Sequence, residues 1–131
     1  MLGKFAKVVG SGLVVAGILG FMPELLTDGK LLGYFPVNFA HNAVHLLLGM
    51  WGLTVAKHDG WVVTYAKSLA VIYGLLAVFG LIPATNTLFR LAPIGGMDVG
   101  LHAVLAVVAA WFGFGTPARS VGAKPATAPL T

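Results

Sequence analysis

Apolar residues run through the chain in four long blocks separated by short polar or glycine- and proline-rich breaks. Crossing about 30 Å of hydrocarbon takes roughly 20 helical residues, and the blocks near residues 5–22, 36–56, 62–82 and 97–114 have that character. Pro23 and Pro83 follow the first and third blocks, and Pro36 and Pro93 precede the second and fourth, where a missing N–H costs least. The pattern predicts four membrane-spanning helices. Lys4 and Lys7 ahead of the first block resemble the start of a signal peptide, but no small-x-small cleavage site follows, so this block is read as a helix. From Thr116 the chain turns to Pro, Ala, Thr and isolated basic residues, a composition that buries no core. Residues 116–131 are thus expected to form a cytoplasmic tail, disordered alone and suited to being held by a partner.

Two halves of the pattern repeat. KVVGSGLVVAGILGFMP, from Lys7 to Pro23, aligns with KSLAVIYGLLAVFGLIP, from Lys67 to Pro83, so that the lysine, a late glycine (Gly20, Gly80) and the closing proline coincide. Beyond loops that differ by three residues, Pro36-x4-His41-x3-His45 aligns with Pro93-x4-Asp98-x3-His102. This predicts an all-α integral membrane four-helix bundle built from two repeated helical hairpins, related by a pseudo-two-fold axis along the membrane normal, the parallel kind of repeat. Small residues at four-residue spacing (Gly12, Ala16, Gly20; Ala66, Ala70, Gly74; Ala106, Ala110) are expected to let helices approach closely.

Composition agrees: 58% of the 131 residues are hydrophobic and only 9% charged, which excludes an ordinary soluble domain. The net charge of +4 comes from scattered single Lys and Arg, so it marks topology and not nucleic-acid binding. Lys4, Lys7, Lys57, Lys67, Arg119 and Lys124 fall on one side, against Lys30 and Arg90 on the other. Both termini are therefore expected to be cytoplasmic, with the loops 23–35 and 83–96 facing outward. Lys67 is expected to snorkel, and Trp61, Tyr65 and Trp111 to act as interfacial anchors. With no cysteine, disulfides and thiolate chemistry are excluded.

Against this apolar background, GYFPVNFAHNAVH, from Gly33 to His45, is costly. Asn38, His41 and His45 share one helix face at i, i+3 and i+7, with Asn42 on its flank, and Asp98 and His102 stack one turn apart in the fourth block. Ionisable groups inside a span usually face the bundle interior and serve a function. Three chemistries fit. One is an interhelical hydrogen-bond network in which Asp98 accepts from a histidine, each bond contributing about 0.6 kcal/mol. A second is a zinc, iron or copper site with His41, His45, Asp98 and His102 as ligands; Asn38 and Asn42 support the polar cluster, bridging backbone or side chains in the network reading. The third is a tetrapyrrole, haem or a chlorophyll-type pigment, held by His45 and His102. Tyr73 and Ser68 read as packing residues or makers of local hydrogen bonds and Ser11 as a small packing residue, whereas Asn86 and Arg90 read as solvated loop residues that could cap the cluster. No catalytic triad or phosphate-binding loop is present, so no enzyme is expected.

The stretches LLGYF, PVNFAHNAVHLLLGMWGL, YAKSLAVIYGLLAVFGLI and Asp98-Val99-Gly100-Leu101-His102 resemble a family of small four-helix bacterial membrane proteins known only as a domain of unknown function. That family carries an HNxxHLxxG motif in helix two and a DNxxH-like motif opening helix four. The resemblance covers about residues 5–114. His41, Asn42, His45, Leu46 and Gly49 match the first motif; Asp98 and His102 match the second, with Val99 in place of its asparagine. It implies the four-helix fold and the bacterial inner membrane, and supplies no activity. The sequence as a whole points to a non-enzymatic membrane subunit, associated with a larger membrane complex or with itself. The alternative is a small oligomeric transporter that moves a proton or metal through the His/Asp cluster.

Overall fold

The structure, a computed structural model, describes residues 1–115; the expected tail lies outside them. It is mostly helical. Helix α1 spans Leu2–Leu19, α2 Phe39–Val55, α3 Asp59–Leu81 and α4 Met97–Phe114. Helices α1, α3 and α4 are long and apolar enough to cross a membrane. Helix α2 has 17 residues, a length of about 26 Å at 1.5 Å per residue. Large apolar side chains such as Val8, Val71, Val78, Val104 and Val107 are exposed, as lipid-facing positions would be. Long apolar helices with apolar outer surfaces are the pattern of a multi-pass membrane protein.

Helix α2 begins later than Pro36. Asn38 has extended backbone and caps the helix, its side-chain oxygen accepting from the His41 N–H at 2.9 Å. Pro36 instead belongs to the last strand of a small antiparallel sheet: β1 Leu26–Thr27, β2 Lys30–Leu31 and β3 Phe35–Pro36, in the order β1-β2-β3. The expected plain loop at 23–35 is thus a folded cap. Its first turn is Asp28-Gly29, both at positive φ (50° and 72°), the conformation that a two-residue hairpin favours.

Packing runs chiefly within two pairs, α1 with α2 and α3 with α4, as expected for two hairpins. In the first pair the backbones meet at Gly10 and Gly49. A Cβ on Gly10 would lie 2.8 Å from the Gly49 oxygen, and one on Gly49 would lie 2.7 Å from the Gly10 oxygen. The face of α1 turned inward therefore carries Gly10, Leu13 and Gly17, not Gly12, which faces open space. In the second pair Gly113 is pressed against the backbone of Lys67 and Ala109 is fully buried.

Toward the end holding both the N-terminus and the α2–α3 turn, aromatic rings fill the core. Phe5 stacks on Phe112 with centroids 4.5 Å apart, and Trp51 meets Tyr65 edge-on at 5.1 Å. Tyr65 is fully buried, its hydroxyl donating to the Leu48 oxygen at 3.1 Å, so it is a core residue and not an interfacial anchor. Trp61 and Trp111 are exposed. The Lys67 ammonium lies 5.4 Å from the centre of the Phe114 ring, a cation–π contact for the expected snorkelling side chain.

Candidate functional site

His41 and His45 lie in the first two turns of α2, and Asp98 and His102 in the first two turns of α4. Both helices start at the end of the bundle where the two long connections enter, so the apolar sequence places its polar side chains together there. His41, Asn42, Asp98 and His102 are all buried, and His45 is half-buried.

The three imidazoles converge. One ligand nitrogen from each of His41, His45 and His102 lies within 4.8 Å of the other two. The rings of His41 and His45 meet edge-to-face with centroids 4.5 Å apart, and His41 and His102 are 6.2 Å apart. His41 Nδ1 is 2.8 Å from the Pro93 carbonyl oxygen. A carbonyl only accepts, so Nδ1 carries the hydrogen and donates it, which in the neutral ring leaves Nε2 as a bare lone pair. Asp98 is not in the converging group; its Oδ2 stands 3.7 Å from His41 Nδ1, beyond hydrogen-bond length.

The loop before α4 makes this possible. Leu88, Phe89 and Arg90 all have positive φ (44°, 56° and 73°), a left-handed turn that costs non-glycine residues roughly 1–3 kcal/mol each. The turn is closed by the Arg90 N–H donating to Thr87 Oγ1 at 3.2 Å and the Ala92 N–H donating to the Thr87 oxygen at 3.2 Å. Directly after it, the Leu91 oxygen accepts from Asn38 Nδ2 at 2.9 Å and the Pro93 oxygen accepts from His41. Asn38 thus acts as a helix cap and a tie to the second hairpin. Arg90 is exposed, on an outer crevice with Asn38 and Thr87.

Asn42 turns away from the imidazoles, and its amide lies against Gly20 at the end of α1. Four buried polar atoms lack a hydrogen-bond partner among the described residues: Asn42 Oδ1, Tyr73 OH, Asp98 Oδ2 and His102 Nδ1. Tyr73, read from the sequence as a packing residue, therefore belongs to the site, its ring 5.2 Å from that of His102. The signal available was its position in a span, where a phenol hydroxyl needs a partner. No hydrogen bond links the His45, Asp98 and His102 side chains to one another or to the rest of the described chain.

Apolar cavities reach the cluster from different sides. One of about 290 Å³ between α1 and α4 has His45, Tyr73, Asp98 and His102 in its wall. Another of about 160 Å³, beside Ile72 and Leu76, meets His41, His45 and His102 from the α3 side. A third of about 250 Å³ runs under Leu31 and Phe35 of the sheet to His41, His45 and Asp98.

A family model matches residues 4–115, and the chain belongs to that family, the domain of unknown function DUF4383. Neither a curated protein nor a solved structure matches the chain significantly. Fold, family and site together define a small helical membrane protein of unknown function with a buried histidine cluster.

Proposed function

We propose that this chain is a non-enzymatic integral membrane protein in which His41, His45 and His102 hold one transition-metal ion. The observation that carries the reading is the convergence of three imidazole nitrogens within 4.8 Å in an otherwise apolar bundle. A tetrahedral metal with bonds of 2.0–2.1 Å needs nitrogens about 3.4 Å apart, a separation that modest side-chain rotation reaches. The hydrogen bond from His41 Nδ1 to Pro93 supports it further, because metal-bound histidines usually donate their other N–H to a carbonyl or carboxylate. Asp98 stands on that same side of His41, its Oδ2 3.7 Å from Nδ1, and as a carboxylate would add negative charge near the cation.

Two other readings have less support. A tetrapyrrole between His45 and His102 leaves unused the third imidazole nitrogen, that of His41, within 4.8 Å of theirs. A hydrogen-bond network would pair Asp98 and His102, whose Oδ2 and Nδ1 have no partner among the described residues.

The chain further reads as a duplicated hairpin in the bacterial inner membrane, with four spans and cytoplasmic termini. Support for duplication comes from two equivalent contacts: Gly20 packs on Asn42 in the first hairpin, and Gly80 packs on Val99, its aligned position, in the second. Its small size and exposed apolar helix faces suit an accessory subunit of a larger membrane assembly or a homo-oligomer. Metal analysis of the purified protein tests the central reading. Near-stoichiometric metal, lost alike in His41→Ala, His45→Ala and His102→Ala, supports it; no metal after loading with zinc, iron or copper refutes it.

A further inference from the structure

The metal reading uses imidazole nitrogens and leaves three buried polar atoms without a partner among the described residues, Asn42 Oδ1, Asp98 Oδ2 and the Tyr73 hydroxyl, of which the last two belong to residues around one cavity. Asp98 is 4% exposed and Tyr73 1%, so neither reaches bulk solvent. A buried polar group without a partner is uncommon and costly, and where two such groups flank one cavity a bound molecule accounts for both. Both residues line the cavity of about 290 Å³ between α1 and α4. The rest of its wall is almost wholly apolar, with Leu13 and Ala16 on α1 facing Leu105 on α4. Its rim residues Leu101, Val104 and Val108 are exposed on the surface that faces lipid, so a molecule dissolved in the membrane can enter sideways.

We infer that this cavity binds a membrane-soluble molecule ending in a hydroxylated aromatic ring, of the quinol or phenol class. The polar atoms set the head group. In its carboxylate form Asp98 only accepts, whereas the Tyr73 hydroxyl both donates and accepts. A single ligand hydroxyl reaching both would donate to Asp98 and accept from Tyr73. The shape sets the rest. A volume near 290 Å³ sits at the lower end of small-molecule pockets and exceeds the roughly 150 Å³ that holds benzene in an apolar cavity. The rings of Tyr73 and His102 beside it offer faces and edges to an aromatic guest. The open rim lets an apolar substituent continue into lipid.

The full chain in lipid nanodiscs, titrated anaerobically with duroquinol and with durene, its analogue without hydroxyls, tests this. Empty nanodiscs of the same lipid supply the partition background. Duroquinol is expected to bind above that background and at least tenfold tighter than durene. Tyr73→Phe removes one hydroxyl and should weaken duroquinol about tenfold while leaving durene unchanged. Leu105→Trp fills the cavity and should abolish binding of both, with helical content by circular dichroism retained in each variant. Binding of duroquinol is expected to survive chelator treatment and His41→Ala, which separates this inference from the metal reading. Equal affinity for duroquinol and durene, binding no greater than in empty nanodiscs, or indifference to Tyr73→Phe and Leu105→Trp would overturn it. So would binding that vanishes with the metal and returns on reloading, because the ligand would then sit on the ion.

Discussion

His41 Nδ1 on α2 lies 2.8 Å from the carbonyl oxygen of Pro93, a residue 52 positions later in the loop before α4. The bond joins the two hairpins and fixes which nitrogen of His41 faces the other imidazoles. A change at His41 is therefore expected to alter both the site and the contact between hairpins. His41→Ala should lose bound metal and lower the melting temperature, whereas His45→Ala should lose metal with a smaller stability loss. Differential scanning fluorimetry beside elemental analysis separates the two, and equal destabilisation of both variants would argue against the role given to the Pro93 bond.

Asn38 supplies a helix cap and a tie from its Nδ2 to the Leu91 oxygen. Asn38→Ala removes both and is expected to cost about 1–2 kcal/mol. Asn38→Asp keeps the acceptor of the cap but not the donor to Leu91, so thermal unfolding should place it between wild type and Asn38→Ala.

The glycines of the first helix pair are not equivalent. A side chain on Gly49 meets the Gly10 oxygen and Val14, and overpacking of this kind costs typically 1–3 kcal/mol. Gly49→Val is expected to destabilise by at least that amount. Gly12, which faces open space, should accept alanine with no loss. Comparable melting temperatures for Gly49→Val and Gly12→Ala would contradict the packing described for this pair.

Asn42 is buried, its Oδ1 has no partner, and the aligned position of the other hairpin holds Val99. Replacing an unsatisfied buried polar group with an apolar one of similar shape is nearly neutral or stabilising. Asn42→Val is therefore expected to keep or raise the melting temperature and to keep bound metal. A large loss of either would show that the amide has a role in the site.

The helices and their pairing were legible because a membrane leaves few ways to satisfy a backbone, and long apolar runs bounded by prolines mark them. The convergence of His41 and His45 with His102 was legible too, from helical spacing and the aligned halves. Other features depend on tertiary context. Pro36 could open a helix or close a strand, and only the pairing of Lys30 with Pro36 decides it. The Asp28-Gly29 hairpin turn was visible as a dipeptide, yet strands of two residues leave almost no alternation to read. Tyr65 and Tyr73 have the same composition signal as an interfacial tyrosine, and burial alone distinguishes them. The left-handed turn at Leu88, Phe89 and Arg90 has no sequence signal, since none of these residues favours positive φ.

Metal binding by imidazoles displaces protons, so the bound ion should leave progressively as the solution is acidified and return on neutralisation. Elemental analysis after equilibration at a series of pH values checks this; occupancy that does not change with acidification would argue for ligands other than histidine.

The central claim is tested most directly by X-ray absorption spectroscopy on the purified, zinc-loaded protein. Three imidazole nitrogens at about 2.0–2.1 Å from one ion per chain are the expected result, with that signal absent from His102→Ala, which no longer retains the ion. A loaded protein that retains no zinc after dialysis, or whose zinc has only oxygen neighbours unchanged by His102→Ala, would contradict the account.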